Sequence, residues 1–138
     1  MNLTEISLNF TLNFLSIIKK CAVTLQLTQS QALCICSIPF DGISQADLSK
    51  KLCIDISTLS RNLDKLIQLQ LIIKKSSMID KRSYKIKLTS KGREYYLQFI
   101  NLINNKIDKS YNNFSLDNKE NLENILNQLN WELSLLNK

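Results

Sequence analysis

The sequence predicts a mainly α-helical domain with a small β element near its centre. Apolar residues recur at helical spacing through most of the chain, and only two Gly and one Pro are present, so loops must be few and short. Between residues 71 and 88 the pattern changes to two short segments typical of strands. At 138 residues the chain is long enough to bury a core, so we expect a single domain over residues 1–138.

The composition narrows the classes of function. A net charge of +6 and a pI near 9.2 favour polyanionic partners. Histidine is absent, which removes the commonest general base and metal ligand. Glu5 stands where a secretion signal would be basic, and no run of eighteen apolar residues occurs. We therefore expect a cytoplasmic protein with reduced thiols, no membrane span, no metal and no cofactor.

Two helices are predicted before residue 39. The first begins near Leu3, and apolar residues on two of its sides predict packing against two different surfaces. Thr28 is a suitable N-cap for a second helix, from Gln29 to about Ile38. Pro39 then marks a turn.

The pattern from Ser44 to Leu69 predicts two helices joined by a tight turn. Ser44–Asp47 has the S-x-x-[DE] form of a helix start, and this short helix should end near Leu52. Asp55 can cap a longer helix that runs to about Leu69. Only two residues lie between the first helix and the second cap, which is typical of a helix-turn-helix.

Two strands and two long helices complete the pattern. Leu71–Lys75 and Tyr84–Leu88 read as strands, and the charged tip between them has no Gly, Pro or Asn for tight turning. Thr89 can cap a helix that extends to about Asn112, and Ser115 a final helix. The order predicts a winged helix-turn-helix over residues 29–89, flanked by helical regions 1–25 and 90–138.

The stretch Ile43–Tyr96 contains three motifs in order: S-T-L-S-R, then D-x-R at Asp80–Arg82, then L-T-S-K-G at Leu88–Gly92. These motifs make the chain resemble the MarR family of transcription regulators. The flanking regions also fit that family's size and helical plan. Two departures occur: Gln70 stands where the family usually has Gly, and Cys53 stands where many relatives have a small residue.

The resemblance implies sequence-specific binding of double-stranded DNA, with the second helix of the pair in the major groove and the wing in the minor groove. Short hydroxyls suit close approach to base edges or phosphates, long cations reach the DNA backbone, and a guanidinium suits a narrow minor groove. Asp80 would be repelled by phosphates, so we expect it to organise the wing instead. The expected DNA-binding residues are Ser57, Thr58, Ser60, Arg61, Lys65, Lys81 and Arg82. Two plainer interpretations stay open, because hydroxyls are favoured at any helix start and a hairpin tip can carry charges only for solvation.

The resemblance also implies a homodimer, formed by the flanking helices, that represses transcription from a pseudo-palindromic operator. Relatives bind small aromatic or phenolic effectors, and no residue pattern here identifies one. The alternative is a winged-helix module for protein interaction or assembly without specific DNA binding. An enzyme is disfavoured because the sequence has no nucleophile and base pair and no Gly-rich phosphate loop.

The four cysteines, Cys21, Cys34, Cys36 and Cys53, are best interpreted as buried small apolar residues. Cys34 and Cys36 are two residues apart on a predicted helix, so they project in different directions and suit one metal ion poorly. A secondary hypothesis is a redox role for Cys21, because the neighbouring Lys19 and Lys20 could lower its pKa.

Overall fold

The structure is a computed structural model that describes residues 1–76, 79 and 83–138. It confirms the predicted fold class: helices dominate, and the described strands form one small antiparallel sheet. The elements are α1 Leu3–Thr24, α2 Gln29–Ser37, α3 Gln45–Leu52, α4 Ile56–Gln68, β1 Ile72–Ser76, β2 Tyr84–Leu88, α5 Ser90–Tyr111 and α6 Leu116–Leu136. Two compact units are present, Met1–Ile103 and Asn104–Lys138, with the boundary inside α5.

Side-chain caps fix where the helices begin, at the residues that the sequence indicated. Thr28, Ser44, Asp55 and Ser115 each accept a hydrogen bond from the backbone N–H three residues later, which satisfies one of the unpaired donors of a first helical turn. Asn2 caps α1 in the same way, a position that the sequence analysis did not single out. Each cap stabilises its helix start by about 1 kcal/mol when partly shielded from solvent.

One face of α4 is buried in the core of the first unit. Leu59, Leu63 and Leu66 of α4 are fully buried, as is Leu48 of α3. Ile35 of α2 is 2% exposed and packs in the same core. Each such side chain contributes about 1.5–3 kcal/mol relative to exposure. The three-helix arrangement therefore fixes which side of α4 faces outward.

The sheet extends from this core as an antiparallel pair. Its register runs from Ile72 opposite Leu88 to Ser76 opposite Tyr84. The first strand starts one residue later than predicted, because Leu71 donates its backbone N–H to Leu66 and so still closes the end of α4. The predicted wing-tip residues Asp80, Lys81 and Arg82 lie outside the described residues.

A short bridge fastens the sheet to the helix-turn-helix. Ile43, just before α3, exchanges both backbone hydrogen bonds with Ile86 of β2, at 3.0 and 2.8 Å. Ile86 is itself 1% exposed. The base of the wing is thus tied to the segment that introduces the first helix of the pair.

Large apolar side chains are exposed at both ends of the chain. In α1 the buried residues Ile18, Cys21 and Ala22 all lie in the second half, so only part of the two-sided apolar pattern is packed. In the second unit, α6 has no buried residue although it carries Leu126, Leu129 and other apolar side chains. The first of these helices is also long and apolar enough to cross a membrane by length and composition alone, a test that core helices of soluble proteins also pass.

Candidate nucleic-acid interface

The outward face of α4 is polar and partly cationic. Opposite its buried leucines, the exposed side chains include Ser57, Arg61 and Lys65. The turn before α4 is tight because Cys53 adopts a left-handed conformation with φ 54°, and the N–H of Ile54 returns to the carbonyl of Ser49. The structure therefore brings three of the predicted DNA-binding residues together on one accessible helix face.

Asp55 organises the beginning of α4. Its Oδ1 accepts the hydroxyl of Ser57 at 2.6 Å and the backbone N–H of Thr58 at 2.7 Å. These bonds, the Ser57 hydroxyl foremost, lower the pKa of Asp55 from 3.8 to about 2, and nearby Arg61 adds a smaller effect. The carboxylate is thus ionised at neutral pH. Because Ser57 donates its only hydroxyl hydrogen to Asp55, its oxygen is left to accept from a ligand.

Two side-chain bonds hold the flanks of α4. On one flank, the Nε2 of Gln45 donates to the Oγ of Ser60 over 2.7 Å in a part-buried position. On the other, the Nδ2 of Asn62 donates to the Oγ of Ser30 in α2 over 2.6 Å. Ser60, expected to face DNA, thus lies beside α3 rather than at the centre of the exposed face. Sequence reasoning missed Gln45, whose position next to the Ser44 cap was its only visible signal.

The L-T-S-K-G motif closes the end of α4. The Nζ of Lys91 donates to the carbonyl of Leu69 at 3.1 Å, and the Oγ1 of Thr89 donates to that of Gln70 at 2.6 Å. The backbone N–H of Thr89 donates to Leu71 at 3.0 Å. Three successive carbonyls beyond the helix are satisfied in this way. The motif therefore fixes the C-terminal end of the outward-facing helix, a role that the resemblance alone did not specify.

Gln70 takes up the left-handed conformation that its position demands, with φ 60°. Gly would adopt this conformation without steric cost, whereas a residue with a β-carbon is strained by about 1–2 kcal/mol. Gln70 therefore adopts the conformation that Gly favours and adds local strain.

Further cations lie on the wing strands. Lys74 and Lys75 on β1 and Lys85 on β2 are exposed, and Lys87 is half-buried. They lie on the same sheet that Ile43 ties to the helix-turn-helix. The described part of the wing is accordingly positively charged.

Cys21 and Cys34 are buried as predicted, whereas Cys36 is half-buried and Cys53 is exposed, so the prediction of buried cysteines is wrong for Cys53, which lies in the turn between α3 and α4. Among residues 1–76, 79 and 83–138, no cluster of His, Cys, Asp or Glu could hold a metal ion. Burial raises the pKa of both Cys34 and Cys36 to about 11, which disfavours thiolate. Cys21 is fully buried, whereas a redox-sensing thiol needs access to solvent, so its burial argues against the secondary redox hypothesis.

An open cavity of about 420 Å³ lies beside the helix-turn-helix within the first unit. Its lining is mostly apolar and includes Phe40 and Tyr96, with two cationic side chains, Lys51 and Arg93. The guanidinium of Arg93 sits 4.3 Å from the centre of the Phe40 ring, a cation–π contact. The Nζ of Lys51 donates to the carbonyl of Ser37 at 2.9 Å.

Comparison with known proteins agrees with this geometry, which defines a winged helix-turn-helix protein. The MarR family model matches residues 26–84, from the turn before α2 to the start of β2. No curated protein sequence matches the chain at a significant level. Over residues 26–84, which are fewer than half of the 138 residues, the chain is similar to the MarR family.

Solved structures share the fold across nearly the whole chain. MarR from E. coli, in its apo form, is 24% identical with a TM-score of 0.81, covering 94% of this chain and 96% of that one. A MarR protein from Peptoclostridium difficile is 25% identical with a TM-score of 0.78, covering 99% and 90%. The F27L mutant of MepR from S. aureus, bound to an oligodeoxyribonucleotide, is 19% identical with a TM-score of 0.66, covering 96% and 99%.

Proposed function

We propose that the protein is a dimeric repressor that binds a pseudo-palindromic operator in double-stranded DNA. The observation that carries this proposal is the orientation of α4. Three fully buried leucines fix its inner face, and the exposed side presents hydroxyls and cations at the end of a tight turn. An α-helix held in this way fits the major groove, and the N-terminal residues of a recognition helix contact base edges.

Individual residues of α4 would contact different parts of the DNA. Ser57 offers an acceptor to base donors, since its hydrogen is given to Asp55. Arg61 is exposed and long enough to reach a guanine edge or a phosphate. Lys65, one turn later, would meet the phosphate backbone and add affinity that weakens with salt.

The wing would contribute from the neighbouring groove. We propose that Arg82 enters the minor groove, that Lys81 adds phosphate attraction and that Asp80 organises the loop. Support comes from the sequence motif and from the cationic strands that lead toward the tip, Lys74 and Lys75 among them. The MepR structure, which contains an oligodeoxyribonucleotide, shows that a protein of this fold binds DNA.

Homodimer formation would cover the exposed apolar residues at the two ends of the chain. In the first half of α1, Leu3 is 71% exposed and Phe10 is 55% exposed. In α6, Trp131 is 62% exposed and Leu136 is 79% exposed. Exposed apolar surface on two helices marks an association site. A two-fold dimer would place its recognition helices about 34 Å apart, one turn of DNA.

The cavity beside Phe40 would receive a small aromatic or phenolic anion as effector. Its apolar lining suits a ring, and Lys51 and Arg93 offer positive charge to a carboxylate or phenolate. Isothermal titration with benzoate, compared between the wild type and Arg93→Ala, tests this assignment. Binding that is equally strong in both proteins would contradict it.

A salt titration of duplex binding tests the proposed function against the alternative of a protein-interaction module. The duplex is one enriched by the protein from a random pool, and a scrambled duplex of equal composition is the control. We expect tighter binding of the enriched duplex and a steep fall in affinity with salt for both. Failure to bind either duplex at low salt would favour the interaction module.

A further inference from the structure

The bond between Gln45 and Ser60 links the two helices of the helix-turn-helix at the edge of the proposed DNA surface. Gln45 is the first residue of α3, and Ser60 lies in the second turn of α4. The 2.7 Å bond runs from the amide Nε2 to the hydroxyl Oγ, and both side chains are half-buried. This bond also determines whether the Ser60 hydroxyl can donate or accept a further hydrogen bond.

Because Ser60 is the acceptor in this bond, its hydroxyl hydrogen can be donated to another group. A serine hydroxyl has one hydrogen and two acceptor lone pairs. The amide of Gln45 occupies one lone pair, and within the described part of the chain no group accepts the hydroxyl hydrogen of Ser60. Ser60 is therefore set as a donor toward a ligand. Ser57 has the opposite polarity, since it donates inward to Asp55 and can only accept outward.

We propose that Gln45 is a positioning residue that sets Ser60 as a hydrogen-bond donor and so helps to determine which operator base is preferred. The inference rests on the proposed function, because Ser60 must approach a base edge in the major groove. Guanine presents only acceptors there, N7 and O6, and thymine presents O4, whereas cytosine presents the N4 donor. At the base pair that Ser60 meets, the wild-type protein would prefer guanine or thymine over cytosine.

Reversing the bond gives a direct test. In Gln45→Glu the carboxylate can only accept, so Ser60 must donate inward and can only accept from DNA. We expect the preference for guanine over cytosine at one position of each half-site to fall by about threefold to tenfold, the range for one hydrogen bond. An acidic residue at the start of a helix is favourable, so the variant should fold. A thermal melt checks this.

Two variants separate the effect on base preference from simple charge repulsion. Ala46→Glu places the same charge at the next, exposed residue, about 100° around the helix from Gln45. It should weaken binding to all sequences alike. Ser60→Ala removes the hydroxyl, and in that background Gln45→Glu should leave the remaining base preferences unchanged.

The measurement is the base frequency at each operator position, obtained by selecting bound duplexes from a randomised pool with each protein. A shift at one position per half-site in Gln45→Glu, absent from Ala46→Glu, is the expected result. An unchanged profile, or a loss of affinity equal for all four bases, would overturn the role of Gln45 while leaving DNA binding intact. A wild-type protein that enriches no sequence would overturn the inference together with the proposed function.

Discussion

The backbone of Gly92 lies against the carbonyl oxygen of Leu71, so close that a β-carbon at Gly92 would overlap that oxygen. Leu71 follows α4, and Gly92 is in the first turn of α5. The same carbonyl accepts the N–H of Thr89 at 3.0 Å. The contact explains in physical terms why the motif after the wing ends in Gly: only a residue without a side chain lets α5 approach the end of α4 so closely.

Gly92→Ala should therefore destabilise the protein. In an ordinary helix Ala is more stable than Gly by up to about 1 kcal/mol. Here the added carbon must displace backbone, and we expect a loss of about 1–3 kcal/mol in the free energy of unfolding. Urea denaturation measures it, with Ser90→Ala, at an exposed position in the same turn, as the control. An alanine variant more stable than the wild type would show that the contact is not tight.

Gln70→Gly should act in the opposite direction. Gln70 has φ 60°, and Gly removes this strain at some cost in unfolded-state entropy, so we expect a net gain of about 0.5–1 kcal/mol. Gln68→Gly, at the last residue of α4, should lose up to about 1 kcal/mol. Both values come from urea denaturation. Equal losses in the two variants would contradict the strain at Gln70.

The cap at Asp55 predicts a pH dependence of stability. Its pKa is lowered from 3.8 to about 2 by the hydrogen bonds of Ser57 and Thr58, so the ionised form favours the folded state. This contribution is present above pH 3.8 and is lost as the pH falls through about 2. Asp55→Asn still caps the helix but cannot titrate.

We therefore expect the melting temperature of the wild type to fall more steeply than that of Asp55→Asn over this acid range. Thermal melts followed by circular dichroism provide the comparison. Asp108→Asn, at an exposed position in α5, controls for the removal of one carboxylate. Parallel curves for the wild type and Asp55→Asn would contradict the lowered pKa.

Lys65 and Arg61 should differ in how they affect DNA binding. If Lys65 meets a phosphate, Lys65→Ala should weaken binding to all sequences and reduce the slope of log K against log salt by about 1. Arg61→Ala should additionally relax the preference at one base pair, by about 1–3 kcal/mol, if it reads guanine. Fluorescence anisotropy at several salt concentrations measures both. Lys109→Ala on α5 is the control, and a slope change there as large as at Lys65 would discount the assignment.

We expect substitutions at two residues of the wing, Arg82 and Asp80, to weaken DNA binding. Arg82→Ala should weaken operator binding by at least about 1 kcal/mol, with unchanged helicity, because it removes the proposed minor-groove contact. Asp80→Ala should weaken binding as well, although it removes a negative charge, because the loop would lose its organiser. Anisotropy and far-ultraviolet circular dichroism test both variants. Tighter binding by Asp80→Ala would show that Asp80 does not organise the wing.

Local signals explain why so much of the fold could be predicted. Caps such as Thr28 and Ser44 act over three residues, so the sequence displays them directly. The bounds of the strand Tyr84–Leu88 also agree with the prediction, although Ile86 is its one buried residue and Tyr84 is exposed. The one-residue shift of the first strand arises because Leu71 still bonds back to α4, a tertiary preference that strand periodicity does not show.

The candidate site was harder to predict because its organising contacts join distant residues. Gln45 and Ser60 are 15 residues apart, and the carbonyl of Gln70 meets Thr89 across 19 residues. Sequence spacing indicated that Ser60 belongs to the recognition helix, and it could not show that α3 occupies part of its hydrogen-bonding capacity. The burial of Cys21 likewise depends on packing rather than on its neighbours Lys19 and Lys20.

Selection of bound DNA from a random duplex pool by the wild-type protein tests whether a dimer recognises a two-fold operator. Two inverted half-sites, with centres about one DNA turn apart, are the result expected for a dimer that inserts α4 into successive major grooves. Enrichment of a single half-site would contradict the dimer. Recovery of no preferred sequence, with no duplex binding at low salt, would contradict the proposed function as a DNA-binding repressor.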